Sequence, residues 1–380
     1  MSVVEMNVSG QTKARADAKP ILELQGLSKS FGAINVVKDV SLDVWPGEFV
    51  SLLGPSGCGK TTTLRMIAGF IAPNEGRIVL GGKDITEVPS YRRDVGLLFQ
   101  SYALFPHMTV RGNVGFGPKM RGETSGVIAD KVRWALSLVK LEGYEDRRPN
   151  ELSGGQQQRV AIARVLAGGA SMLLLDEAFS NLDAKLRGRM QEEVRELQLR
   201  LGIATVLVTH DQEEALAMSD RIVIMNGGKV EQIGTPKQVY SAPSSMFVAD
   251  FMGRCNRIEG TLRQDRRAKA WYLDCGPSGT IKLETIPHPD AREGEECPVF
   301  VRPEHLRLTQ SLENHEGEGL KGRIERVVYL GSRSVAYVTL EGNIPLQVHL
   351  PNKPGISDEF SIDRPVVVVP LPGAVTPLPE

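Results

Sequence analysis

The sequence predicts an α/β domain built on a parallel sheet, interrupted by a helical insertion and followed by a small β-barrel. Three observations predict it. Between about residues 21 and 240, short and almost wholly apolar runs alternate with segments of helical periodicity, the pattern of buried parallel strands joined by helices. A glycine-rich turn, "GPSGCGKT" from Gly54 to Thr61, joins one of those strands directly to a helix. After about Ser241 the texture changes to short strands of alternating polarity between Gly and Pro turns.

Taken in order, "MSVVEMNVSGQTKARADAKP" has no continuous apolar core behind a basic start, so it is not read as a secretory signal. Residues 1–20 are expected to be a flexible solvated tail. "EFVSLLG" (Glu48 to Gly54) is a buried strand ending in the glycine turn, and "KTTTLRMIAGF" continues as a helix. The stretch from about Ser101 to Gln156 lacks strong strands, which places a helical subdomain at about 101–165. "SMLLLDEA" and "IATVLVTH" are two further buried strands. Between them Leu182, Leu186, Met190, Val194, Leu197 and Leu201 recur at steps of three and four, one face of a helix. An α/β domain over 21–240 follows, with its binding site at the carboxyl ends of the strands. In 241–380, "CPVFVR", "RIERVVYL", "SVAYVTL" and "IPLQVHL" read as short strands of a barrel or sandwich.

The chain's 380 residues allow two domains or three small ones. With 45 Lys and Arg against 46 Asp and Glu, the net charge of -1 leaves no global field pointing to nucleic acid or anionic lipid. No apolar run approaches the roughly 20 residues of a membrane-spanning helix. Cys58, Cys255, Cys275 and Cys297 lack metal-ligand spacing and suit a reducing cytosol.

The glycine turn fits G-x-x-x-x-G-K-[ST] with a strand before it and a helix after it, as a phosphate cradle requires. Gly54, Gly57 and Gly59 let backbone N–H groups close around phosphate oxygens at a helix N-terminus. Lys60 is placed to meet the β- and γ-phosphates and Thr61 to ligate Mg²⁺, while Cys58 reads as a small filler. "MLLLDE" ends a buried strand in two carboxylates: Asp176 can hold Mg²⁺ through water, and Glu177 can orient or deprotonate an attacking water. His210 closes the next strand in "VTHD", where a γ-phosphate contact belongs. A lone strand-end histidine is more often structural, and Gln100 in "LLFQSY" taken singly is an ordinary surface residue. "LSGGQQQR", from Leu152, is a second anion-binding turn with no lysine of its own.

Together these residues resemble the ATP-binding cassette family, the nucleotide-binding subunits of ABC transporters, from Ile21 to about Gly253. "GPSGCGKTT" is similar to the Walker A loop, "LLFQ" to the Q-loop, "LSGGQ" to the signature, "MLLLDE" to Walker B, "SNLD" (Ser180 to Asp183) to the D-loop and "VTHD" to the switch histidine. The resemblance implies an α/β P-loop NTPase cassette that hydrolyses ATP with Mg²⁺. It implies nucleotide contacts from Gly54, Pro55, Ser56, Gly57, Cys58, Gly59, Lys60, Thr61 and Thr62, with Phe31 stacking on adenine. Thr61, Gln100 and Asp176 would serve Mg²⁺, and Glu177, His210 and Gln100 the chemistry. Ser153, Gly154, Gly155, Gln156 and Asp183 would act in trans, closing on nucleotide held by a second copy in a head-to-tail dimer. That explains a phosphate-facing turn useless to the chain's own nucleotide. Two departures stand out: Phe31 replaces the usual tyrosine but keeps a π-face, and Ala178 replaces the proline common after the catalytic glutamate.

"VRPEHLRL" and "VVYLGS" resemble the transport-associated OB-like (TOBE) domain of importer cassettes. "QSYALFPHMTVRGNVGFGPKMRG" and "GTPKQVYSAPSSMFVADFMG" resemble the polyamine, ferric-iron and sugar importer group, spermidine/putrescine-type above the others. Transmembrane permease subunits, a periplasmic solute-binding protein acting indirectly, and a peripheral place on the cytoplasmic face of the bacterial inner membrane are implied. No nucleic acid is expected. A soluble ABC ATPase of repair or translation would carry tandem cassettes or long coils, which this chain lacks. Tyr102, Leu104 and Phe105, beside Gln100, are expected to be exposed and to dock the membrane subunits.

Overall fold

The computed structural model describes residues 19–265, 270–284, 290–310, 318–352 and 362–377. Residues 1–18 of the expected N-terminal tail lie outside them. The chain divides into two compact units, Met1–Lys237 and Gln238–Glu380.

In the first unit, β1 (Leu22–Phe31), β2 (Ile34–Val44), β4 (Glu75–Leu80) and β5 (Lys83–Asp84) form an antiparallel sheet in the order β2-β1-β4-β5. A second sheet takes the order β10-β9-β3-β8-β7-β6, built from β3 (Phe49–Leu53), β6 (Val95–Leu98), β7 (Met172–Asp176), β8 (Ala204–Thr209), β9 (Arg221–Asn226) and β10 (Lys229–Gly234). Its strands are parallel except for the β9–β10 hairpin. Every residue of β3, β7 and β8 is buried, which is why these runs lack polar alternation.

Two cores flank this sheet. One gathers Leu52, Leu64, Leu174, Val206 and Val223 with the antiparallel sheet. The other gathers Phe49, Leu175 and Leu207 with the helices that lie between β6 and β7. Those helices are α2 (Val110–Val114), α3 (Phe116–Met120), α4 (Ser125–Leu138) and α5 (Gly154–Ala167). They follow α1 (Lys60–Ile67), the helix of the glycine turn. α6 (Ala184–Leu201) starts at Asp183, whose carboxylate accepts from Leu186 N at 3.0 Å, and ends at Gly202 in the left-handed region. Met190, Val194 and Leu197 are its buried stripe, and Leu182 sits in the turn ahead of it. α7 (Gln212–Met218) is capped by Asp211 in the same way.

One arginine holds the phosphate-loop helix to the sheet. Arg93, 6% exposed, donates to Met66 O (2.7 Å) and Ile67 O (2.8 Å), the last carbonyls of α1, and to Val88 O (2.7 Å) and Thr86 O (2.9 Å). Its guanidinium caps the negative end of α1. Gly69 is required beside it, since a Cβ there would lie 2.5 Å from Arg93 Nε and the backbone φ is 79°.

In the second unit, antiparallel strands β12 (Thr261–Asp265), β13 (Ala270–Asp274), β14 (Gly279–Leu283), β17 (Gly319–Tyr329), β18 (Arg333–Leu340) and β19 (Pro345–Pro351) run in that order. β20 (Pro365–Pro370) pairs both β17 and β16 (Leu306–Thr309), bending the sheet towards closure. β11 (Asn256–Ile258), β15 (Val299–Val301) and β21 (Thr376–Pro377) form a small separate sheet. Leu346, Val348 and Leu350 alternate inward on β19 and join Ile324, Val338 and Val368 in one core. Arg302 is buried against the helix Met246–Phe251 and the residues after it. It donates to Ala249 O and Gly253 O, both at 2.8 Å, and stacks 4.4 Å from the Tyr240 ring centroid.

Candidate active site

The parallel sheet brings four segments to one edge. The phosphate loop leaves β3, His210 follows β8, Glu177 follows β7 and Gln100 closely follows β6, and these strands are neighbours in the order β3-β8-β7-β6. All four leave carboxyl ends, where an open α/β sheet binds its ligand.

The loop's shape needs its glycines. A Cβ on Gly54 would lie 2.2 Å from Met225 O and 2.7 Å from Cys58 Sγ; one on Gly59 would lie 2.6 Å from Val36 O. Gly57 and Gly59 also take φ of 81° and 101°. Cys58 is buried and packs in the loop, as a filler would. Lys60 is 6% exposed and donates to Gly54 O (2.7 Å) and Pro55 O (2.9 Å), so its ammonium is held across the mouth of the loop. Because Val36 of β2 backs onto Gly59, the β1–β2 hairpin stands beside the loop and brings Phe31 with it. Phe31 is 49% exposed, with Lys29 Nζ 5.4 Å from its ring centroid.

Thr61 Oγ1, on the first turn of α1, lies 3.5 Å from Asp176 Oδ1 at the end of β7. Burial is the main cause that raises the Asp176 carboxyl above the usual range, with Glu177 adding to it while Arg65 and the Thr61 contact oppose it. A divalent cation would replace the proton there. Among the described residues no cluster of three or more His, Cys, Asp or Glu forms a self-sufficient metal site. Thr61 and Asp176, facing each other beside a phosphate cradle, instead fit an ion that shares phosphate oxygens, as Mg²⁺ does.

Glu177 sits in the left-handed region, at φ 47°, uncommon for a side chain of its kind. Neighbours hold it there: its N–H donates to Val208 O at 3.0 Å, and its carbonyl accepts from Ser180 N (3.2 Å) and Ser180 Oγ (2.9 Å). The carboxylate reaches His210 Nδ1 at 3.3 Å. Gln100 Nε2 donates to Ser180 Oγ at 3.0 Å, and Asn181 Nδ2 donates back to Gln100 O at 2.9 Å. Gln100, Ser180, Glu177 and His210 therefore form one continuous chain. Sequence reasoning missed the bridge at Ser180 and Asn181; their only signal was membership of "SNLD".

Behind the histidine, Thr209 donates a short hydrogen bond to buried Glu214, whose carboxyl is raised chiefly by burial. Asp211 meets Arg187 at 3.5 Å.

The "LSGGQ" turn starts α5. Ser153 Oγ accepts from Gln156 N at 3.4 Å while Gln156 Oε1 accepts from Ser153 N at 2.9 Å, a reciprocal capping box. Gly155 packs on Leu186 of α6, where a Cβ would lie 3.3 Å away. Ser153 and Gly154 are exposed and point their helix N-terminus at solvent, and Gln156 also meets Tyr144 OH at 3.4 Å. The structure thus brings the loop, Asp176, Glu177, His210 and Gln100 to one sheet edge, keeps Phe31 half-exposed on the β1–β2 hairpin, and presents Ser153 and Gly154 outward while Gly155 is buried.

One expectation fails at Gln100 to Met108. Tyr102 is buried rather than exposed. Positive φ at Tyr102 and Ala103 (59° and 46°) turns the chain so that the ring enters the helical core. Leu104 and Phe105 are half-buried, Leu104 against that core and Phe105 against Phe116 with centroids 4.5 Å apart. Gln100, Ser101, Ala103, Pro106 and His107 are the exposed residues of the stretch.

A glycine phosphate loop, a facing threonine and aspartate, and a glutamate positioned against a histidine define a P-loop ATPase. The comparisons carry the assignment further. The family model described as "ABC transporter" matches residues 37–180, and the model described as "TOBE domain" matches residues 299–378. The chain belongs to the family of ATP-binding subunits of ABC transporters, as an ATPase with a cassette followed by a TOBE domain. It is 46% identical to the spermidine/putrescine import ATP-binding protein PotA of Oleidesulfovibrio alaskensis, over 86% of this chain and 87% of that one. The protein of the same name from Rubrobacter xylanophilus is 48% identical, over 86% and 85% of the two chains. That of Photobacterium profundum is 42% identical, over 95% and 93%. Among solved structures, cbiO1 from Clostridium perfringens, part of the ABC transporter complex cbiONQ, is similar at 30% identity and a TM-score of 0.54, covering 58% of this chain and 90% of that one.

Proposed function

We propose that this chain powers uptake of polyamines, spermidine or putrescine in kind, through separate membrane subunits at the cytoplasmic face of a bacterial inner membrane. The observation that carries the cargo is the likeness to importer subunits named for spermidine and putrescine, which at 42% identity extends over 95% of this chain. Two copies work head to tail, each offering its Ser153–Gln156 turn, exposed at Ser153 and Gly154, to nucleotide held by the other's loop. That reading is supported by a capped helix N-terminus facing solvent, which suits an anion.

In the site, Lys60 and the loop N–H groups bind and orient the phosphates, and Phe31 stacks on the base. Thr61 and Asp176, with Gln100, would hold Mg²⁺, which when bound would supply charge neutralisation to the phosphates. Glu177 orients the attacking water and accepts its proton, and His210 steadies the carboxylate and reaches the γ-phosphate. Gln100 reports that phosphate's state to Ser180. The exposed residues Ser101, Ala103, Pro106 and His107 dock the membrane subunits.

Uptake of labelled spermidine, putrescine, ferric iron and maltose into vesicles holding the full complex tests the cargo. ATP-driven uptake of a polyamine is the expected result, and ATP-driven uptake of iron or sugar alone overturns it. Mixing Lys60→Ala with Ser153→Arg chains tests the dimer. Activity above either variant alone is expected, because one composite site is then intact; mixed dimers as inactive as their parents refute the arrangement.

A further inference from the structure

Gln158 lies one turn into α5, behind the "LSGGQ" turn, and is fully buried. Its Nε2 donates to Ala178 O at 3.3 Å, while its Oε1 is buried without a hydrogen-bond partner. An apolar side chain of similar volume would fill the same space without stranding an acceptor. The half of the amide that is used grips the residue immediately after Glu177. Ala178 and Phe179 are themselves buried, so that turn has little freedom besides what its hydrogen bonds allow. The same helix start is seated on α6 through Gly155 and Leu186. A shift of the α5 N-terminus therefore pulls on the Ala178 carbonyl, one residue beyond the left-handed Glu177.

We propose that Gln158 is a positioning residue that transmits engagement of a chain's own "LSGGQ" turn to that chain's own Glu177. The inference rests on the head-to-tail reading above. In that arrangement the turn closes on nucleotide in the opposite site. Gln158 then makes each site's glutamate sensitive to whether the other site is filled, a coupling expressed in the rate of hydrolysis rather than in how tightly either site binds ATP. Ser180 links the same turn to Gln100, so Glu177 is gripped from two directions, by the helix facing the second copy and by the loop that reads the chain's own phosphate.

The test uses the purified full-length chain carrying Gln158→Leu, which removes the amide at nearly constant volume, with Gln158→Met as the substitute if the first variant melts below the assay temperature. Steady-state hydrolysis is measured against ATP concentration. The expected result is a fall in kcat of about tenfold, equivalent to about 1.4 kcal/mol, with the half-saturating ATP concentration moved less than about twofold. The Hill coefficient should fall from near the ceiling of about two for two sites towards about one. A second arm places Gln158→Leu in a Glu177→Gln chain and measures the ATP-dependent dimer by size exclusion. Because Gln158 acts through Glu177, the dimer population should be unchanged. A folded variant with wild-type kcat and Hill coefficient overturns the inference, and so does a loss carried wholly by weaker ATP affinity. If the Glu177→Gln chain alone fails to dimerise with ATP, the head-to-tail reading falls and takes the inference with it. A trapped dimer with unaltered Gln158→Leu kinetics removes only the inference.

Discussion

Replacing Arg93 with alanine isolates how the phosphate-loop helix is anchored. The guanidinium makes four hydrogen bonds to carbonyls, two from the end of α1 and two from the segment leading into β6. Burial lowers its pKa, with Glu87 opposing, yet an arginine stays charged in the physiological range. Each charge-assisted bond contributes about 1.5–3 kcal/mol, but bonds sharing one group are not additive and some freed carbonyls regain water. Loss of the charge at the helix end adds about 0.3–1 kcal/mol. The expected destabilisation is about 3–5 kcal/mol, read from urea unfolding of the full chain by circular dichroism, first transition, with the second unit as internal control. Arg93→Lys should recover less than half, because one ammonium cannot bridge α1 and the Thr86–Val88 segment together. A loss below about 1 kcal/mol for Arg93→Ala, or full recovery by lysine, would refute the reasoning.

Three further outcomes follow from the site. Glu177→Gln should cut hydrolysis by roughly 10²–10⁴-fold while ATP affinity, measured by equilibrium dialysis, stays near wild type; hydrolysis at the normal rate would show that another group takes the proton. Asp176 has a raised carboxyl pKa in the fold, so the stability its neutral form contributes is present below its unfolded pKa of about 4 and is lost as pH rises through the folded value. Without metal, the wild type should therefore lose stability relative to Asp176→Asn as pH climbs from about 4; Mg²⁺ affinity in the presence of nucleotide should rise over the same range as the competing proton leaves, and a flat Mg²⁺ titration would count against Asp176 as a ligand. At the proposed docking surface, His107→Glu should abolish vesicle transport while soluble ATPase and melting temperature hold, whereas Leu104→Glu should lower the melting temperature because its side chain packs on the helical core.

The sequence by itself determined the parts whose chemistry is local. Gly54 to Thr61 declares a phosphate cradle because strand, glycine spacing and helix are contiguous. β3, β7 and β8 were legible as near-continuous apolar runs, since strands covered on both faces have no polar side to display. The stripe from Met190 to Leu197 was legible through its spacing. Tertiary structure alone decided what depends on residues distant in sequence. No periodicity shows that Arg93 caps α1, that Ser180 joins Gln100 to Glu177, or that Gln158 reaches Ala178; each is a single polar contact made when separate elements pack. Tyr102 shows the same limit in reverse. An aromatic in a loop-like segment was expected at the surface, but two consecutive positive-φ residues turned it inward. Backbone handedness at a non-glycine residue is enforced by the surrounding fold, and a single sequence does not display it.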